Sequence, residues 1–241
     1  MSSQSIDLTE WKQITARLLE FEQEGLVTRT FRRLDPQRQQ AVLAAILDEA
    51  IEKGPTAINI KQVAERAEVA IGSLYQYFGS REGLLNFAIE LCVHYMTDMF
   101  ETYSPLLMEL PLAEGLTAYL NTGVEWSQTQ MGMIQFLARA AYHGDPELAD
   151  RVVKPIGTAM RTIVHDMLAR AVERGEVRSD IDLEATTRAV NAALIALGDS
   201  QLLPYLNNYF QVTDRKVSAQ RVTDALVALI LRGIGTANQA S

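Results

Sequence analysis

Cysteine is almost absent from this chain: Cys92 is the only one in 241 residues. No intramolecular disulfide and no cysteine-based zinc cluster can form, and a reducing compartment suits the chain. Histidine is nearly as scarce, with three residues. His94, His143 and His165 are far apart in sequence, and Cys92 and His94 stand on different faces of one helix. No metal site and no cofactor is therefore expected. No apolar run approaches the roughly 20 residues of a membrane span, and Met1-Ser2-Ser3-Gln4 lacks the basic and apolar parts of a secretion signal. The expectation is a cytoplasmic protein with no membrane partner. Positive charge is also in deficit: 22 Lys and Arg stand against 30 Asp and Glu, a net charge of −8 with pI near 5.0. That balance excludes a generic polyanion binder and leaves DNA binding to a local basic patch. Nucleophile elbow, phosphate loop, dinucleotide fingerprint and His-Glu-x-x-His are all missing, so the sequence points away from an enzyme.

Alternating strand-like runs are likewise hard to find, while apolar residues recur at spacings of three and four almost everywhere. The pattern predicts an all-α protein. With 48% hydrophobic and 22% charged residues, the chain is long enough for one or two domains with a sizeable core. A first helix is predicted over about 8–24, with Asp7 and Glu10 as capping box and Trp11, Ile14, Leu18 and Phe21 as an apolar stripe expected to pack on its own domain. Arg29, Arg32 and Arg33 follow with no acid among them. They are either a solvated cluster or an arm that reaches phosphates or the minor groove. Asp35-Pro36 opens the next helix, which Gly54-Pro55 ends. Asn59 then caps a helix of about two turns, a break follows at Glu68-Val69-Ala70, and Ile71 to Phe78 forms a second short helix. Two short helices joined by a tight turn are the helix-turn-helix pattern. A long helix begins near Arg81, and Pro105 and Pro111 bracket the connection after it. Further helices are predicted near 112–130, 131–142, 147–174, 183–200 and 218–233, with Pro155 a point of kinking or splitting and Pro204 to Asp214 a break.

The run Asn59-x3-Val63-Ala64-x2-Ala67-x-Val69-x2-Gly72-x-Leu74-Tyr75-x-Tyr77-Phe78-x-Ser80-Arg81-Glu82-x-Leu84-Leu85 resembles the DNA-binding domain of TetR-family transcriptional regulators. The helix from Asp35 to Gly54 matches the family's first helix. Arg174-Gly175-Glu176-Val177 followed by Asp182-Leu183-Glu184-Ala185 looks like the stretch that introduces the family's two dimerisation helices. Two positions depart from the pattern: Glu68 replaces the usual turn glycine, and Ala70 the usual serine. A left-handed backbone without glycine costs about 1 kcal/mol, and Ala70 removes a cap and a phosphate-binding hydroxyl. The domains read from this resemblance are 1–34, an extension with a helix and basic arm; 35–88, the helix-turn-helix domain; and 89–241, an effector-binding and dimerisation domain.

The motif also makes physical sense on its own. Ala64 and Ala67 let two short helices approach closely, and Val63, Val69 and Leu74 fill the space between them. Gly72 lets backbone come near another surface, while Ser73, Tyr75 and Tyr77 offer hydroxyls to phosphates or bases. Ile71 offers an apolar contact to a thymine methyl. Lys61 and Arg81 supply charge, and the helix start at Arg81 adds aligned amides. The predicted DNA surface is therefore Asn59, Lys61, Ile71, Gly72, Ser73, Tyr75, Tyr77 and Arg81, joined by Arg29, Arg32 and Arg33 if the arm exists.

The resemblance implies a homodimer on a near-palindromic double-stranded operator, released by a small and largely apolar effector. Tyr95, Met99, Tyr119, Trp126, Met133, Phe136, Met160 and His165 are the candidate effector residues, although aromatic and methionine residues of this kind equally build plain core. Ala189, Ala193, Leu197, Leu226, Leu229 and Ile230 are the candidate dimer face, where alanines permit close helix approach and leucines supply area. The alternative is an all-α small-molecule-binding or enzymatic protein that keeps the scaffold without binding DNA.

Overall fold

Capping side chains mark where several of the helices begin. In the computed structural model, which describes residues 17–144 and 146–236, α1 (Leu18–Gln23) leads to α2 (Arg29–Arg32), capped by the Thr28 hydroxyl. Asp35 caps α3 (Pro36–Lys53) by accepting from Arg38 N at 3.0 Å, and Gly54 ends it at φ 88°. Then come α4 (Ile60–Arg66), α5 (Ile71–Phe78) and the long α6 (Arg81–Met108). The chain continues through α7 (Leu112–Thr129), α8 (Met131–His143), the short α9 (Pro146–Leu148), a π-turn over Ala149–Val153 and α10 (Lys154–Glu173). It finishes with α11 (Leu183–Leu202), α12 (Pro204–Phe210) and α13 (Ala219–Ile234). The protein is all-α: β structure among the described residues is one isolated bridge, Val177 to Gly235. No helix among them is long and apolar enough to cross a membrane. Asp7, Glu10, Trp11 and Ile14 lie outside the described residues.

Two elements differ from their predicted form, and a third divides beside Pro155 as the sequence suggests. Helix α6 runs through Pro105 to Met108 rather than stopping before it. The helix expected over 147–174 is divided by the π-turn over Ala149–Val153, and Pro155 is the second residue of α10, immediately after that turn. The Pro204–Asp214 break contains α12, whose end is tied off by the Asn207 side chain accepting from Val212 N and Thr213 N at 3.1 and 3.0 Å.

Two compact units result, and neither is continuous in sequence. The first joins the described residues up to Met99 with Gln130–Ile156; the second joins Phe100–Thr129 with the described residues from Gly157 onward. The consecutive division into 1–34, 35–88 and 89–241 does not follow these units. In the first unit, Phe21, Phe31, Leu43, Ile46, Leu74, Leu84 and Phe87 are almost wholly buried. Helix α8 belongs to this unit and packs on α3. In the second, Leu112 and Leu116 of α7 meet Val164, Met167 and Leu168 of α10, Val190 and Leu194 of α11, and Val227 and Ile230 of α13. The stretch Arg174-Gly175-Glu176-Val177 clamps the turn between α6 and α7. Arg174 donates to the carbonyls of Met108 and Leu110, each at 2.9 Å, and Glu176 accepts from Leu112 N at 2.7 Å.

Candidate nucleic-acid interface

The helix-turn-helix is assembled around a buried carboxylate. Glu49 of α3 is 0% exposed; it accepts from Asn59 N at 3.0 Å and pairs with Lys53 at 2.8 Å and Arg66 at 3.3 Å. One α3 residue thus holds both ends of α4, and its charge is compensated where it stands, as a buried ion requires. Nearby Asp48 has its carboxyl raised above the ordinary value, chiefly by burial, with Arg66 opposing. Asn59 caps α4, accepting from Lys61 N at 3.1 Å and Gln62 N at 3.4 Å. Val63, Ala64, Ala67 and Leu74 are buried between α4 and its neighbours.

The turn keeps its shape despite the missing glycine. Glu68 takes the left-handed position itself, with φ 54°, and Val69 N donates to Ala64 O at 3.0 Å. The missing serine has a visible effect: Ala70 is the N-cap of α5 and gives it no side-chain bond. From there Ile71, Gly72, Tyr75 and Gln76 face outward and Ser73 is half-buried. Nothing lies within 4 Å of where a Gly72 Cβ would stand, so the backbone there is open to close approach. Lys61 is exposed and Arg81 stands exposed at the start of α6, where Ser80 Oγ accepts from Gly83 N at 3.0 Å.

Two sequence expectations change. Tyr77 is 6% exposed and packs its ring 5.5 Å from that of Phe31. Two positions along a helix turn a side chain to the opposite side, so Tyr75 and Tyr77 cannot share a face; Tyr77 is core. The arginines are no free arm. Arg29 and Arg32 are part of α2, Phe31 between them is buried, and Arg32 is engaged by Glu22; Arg29 and Arg33 are exposed. Gln76, outward-facing and suited to bidentate contact with adenine, is absent from the surface expected from the sequence, although it lies one turn from Gly72.

The candidate effector residues divide between the units. Tyr95, Met99, Met133 and Phe136 are buried in the first, with Phe136 Cβ 3.4 Å from where a Cβ on Gly54 would stand at the end of α3. Tyr119, Trp126, Met160 and His165 are half-buried in the second. The Tyr119 hydroxyl is buried without a hydrogen-bond partner, and burial raises its pKa. His165 Nδ1 lies 3.1 Å from Asp166. Among the described residues no group of three or more His, Cys, Asp or Glu is placed to hold a metal ion. Of the candidate dimer residues, Leu197 and Ile230 are buried in the second unit's own core, and Ala193 and Leu226 are half-buried. Ala189 and Leu229 are exposed, Leu229 at 70%.

Two short helices locked around a tight turn, with a small-residue contact and an outward polar face, define a helix-turn-helix DNA-binding protein. Residues 42–87 match the family model "Bacterial regulatory proteins, tetR family", and residues 111–197 match "Tetracyclin repressor-like, C-terminal domain". The chain belongs to the TetR family of transcriptional regulators. It is 25% identical over 138 residues to the HTH-type transcriptional repressor KstR2 of Rhodococcus jostii, covering 57% of this chain and 66% of that one. It is 45% identical over 49 residues to the repressor KstR of Mycolicibacterium smegmatis, covering 20% and 24%. The matched stretches thus span less than two thirds of these relatives. A transcriptional regulator from Cytophaga hutchinsonii shares the fold, with a TM-score of 0.58, 14% identity and coverage of 82% and 98%.

Proposed function

We propose that the protein is a homodimeric repressor that binds a near-palindromic operator and leaves it when a small, largely apolar molecule binds. The observation that carries this reading is the outward face of α5: Ile71, Gly72, Ser73, Tyr75 and Gln76 are presented between Lys61 and Arg81 on a frame fixed by Glu49 and Asn59. Base edges are read by such a face, while flanking cations and helix-start amides bind phosphate. The overall charge of −8 makes that local arrangement, rather than bulk attraction, the source of affinity.

Dimerisation is supported by two exposed stripes at helical spacing, Ala185, Arg188, Ala189 and Ala192 on α11 and Ala225, Ala228, Leu229 and Arg232 on α13. An effector is supported by the unpartnered Tyr119 hydroxyl inside a mostly apolar unit, since an unmade bond at a buried hydroxyl is costly until a ligand supplies it. Release needs only that the effector favour a state in which two reading heads no longer match adjacent major grooves.

Fluorescence anisotropy with duplexes chosen by the full chain from a random library tests the reading. Submicromolar, salt-sensitive and sequence-selective binding is expected. Arg81→Ala should weaken binding to every duplex and reduce the salt slope by about 1. No selected duplex at all would leave the scaffold-only alternative standing.

A further inference from the structure

The recognition helix α5 is short and poorly secured from within. It has eight residues, Ala70 gives its N-terminus no side-chain cap, and the preceding turn holds Glu68 in a left-handed conformation. Helices of this length do not persist on their own hydrogen bonds. Its C-terminal carbonyls, however, have partners from 48 residues away. Thr28 Oγ1 donates to Gln76 O at 2.8 Å, and Thr28 N donates to Tyr77 O at 2.8 Å.

Thr28 is itself fixed in place. Its neighbour Phe31 is 0% exposed, with its ring 5.2 Å from Phe78 and 5.5 Å from Tyr77. The Gln39 side chain of α3 donates to the carbonyls of Phe31 and Arg32 at 3.1 and 2.8 Å, closing the end of α2. Upstream, Arg17 pairs with Asp98 at 2.9 Å, and Leu18, Phe21 and Val27 are buried. The segment before the helix-turn-helix is therefore a rigid part of the first unit; it grips α5 through the Phe31 ring and through the hydrogen bonds of Thr28.

We infer that residues 17–34 act as a brace for DNA reading, in which Thr28 is a positioning residue that sets the orientation of α5 without touching DNA. Gln76, whose carbonyl Thr28 holds, is on the outward face of α5, and Tyr75 immediately precedes it. A shift at this end moves the side chains that read bases more than it moves Lys61 on α4. The inference rests on the DNA-binding reading above.

The test uses the full chain and its Thr28→Val and Thr28→Ser variants. Valine keeps the shape and the backbone N–H but removes the hydroxyl; serine restores it. Without DNA, hydrogen exchange at the amides of Leu74 to Phe78 should quicken in Thr28→Val and return toward wild type in Thr28→Ser. With a duplex selected by the wild-type chain, Thr28→Val should lose about three- to tenfold in affinity, the worth of one hydrogen bond. Affinity for a scrambled duplex and the salt slope should stay unchanged, whereas general loss of folded protein would lower both affinities alike. Unaltered exchange in Thr28→Val, or an unaltered ratio of selected to scrambled binding, overturns the brace. A wild-type chain that selects no duplex overturns the DNA-binding reading and the brace's role with it. In that case exchange alone still reports whether Thr28 secures α5.

Discussion

Gly132 backs directly onto Ile51. A Cβ built on Gly132 would lie 2.5 Å from the Ile51 carbonyl oxygen and 2.6 Å from the amide nitrogens of Lys53 and Gly54. The start of α8 is thus seated on the last turn of α3, backbone against backbone. Gly132→Ala should force the two helices apart and destabilise the first unit by about 1–3 kcal/mol, the usual cost of overpacking. Thermal unfolding of the variant would show it, and an unchanged midpoint would refute the close seating.

His94 should make the first unit sensitive to acid. Burial first, and the Arg17 guanidinium second, hold its imidazole below the ordinary 6.5, against the opposing pull of Asp98, Glu90 and Glu24. Arg17 donates to Nδ1, which requires the neutral ring. As pH falls through about 6.5 the unfolded chain takes up this proton before the folded one, so the stability His94 contributes is present above that pH and lost below it. Urea midpoints should drop between pH 7.5 and 5.5, and His94→Gln should flatten the drop. Equal declines in the two proteins would assign the pH dependence elsewhere.

Glu68 occupies a glycine's place at φ 54°. Glu68→Gly should raise stability by up to about 1 kcal/mol, the relief of backbone strain less the added freedom of the unfolded chain. It should also tighten DNA binding, because an exposed carboxylate in the turn that leads into α5 is removed. A lower unfolding midpoint for Glu68→Gly would contradict the strain.

Leu229 tests the proposed dimer more cleanly than Leu226. Leu226 packs on both apolar clusters of the second unit, so a carboxylate there damages the subunit itself. Leu229 is exposed in the single chain, and Leu229→Glu should change monomer stability by no more than about 0.5 kcal/mol. Light scattering should nonetheless show dimers giving way to folded monomers. An intact dimer of this variant would move the interface to another surface.

Local chemistry is legible in the sequence and distant chemistry is not. Asn59, Asp35-Pro36 and Gly54 mark helix ends through bonds spanning a few residues, and the spacing of Val63, Ala64, Ala67 and Leu74 encodes the helix-turn-helix directly. Before that motif, three arginines stand out while Phe31 and Thr28 do not, because their partners Tyr77, Phe78 and Gln76 lie more than forty positions on and no periodicity links them. Tyr77 departs from expectation for a simpler reason: motif position suggests surface, but the helical repeat turns it inward. Similarly, Leu197 and Ile230 belong to stripes that suit either an interface or a core, and only the fold separates the two uses.

The membership of Gln130–Ile156 in the first unit also governs how the protein is made. Helix α3 leaves the ribosome long before α8, so its C-terminal turn waits for Gly132 while the intervening helices are synthesised. At about 5–20 residues per second that interval is on the order of ten seconds. Throughout it the nascent helix-turn-helix lacks one wall, and a ribosome that stalls before α8 leaves an incomplete reading head rather than a finished N-terminal domain.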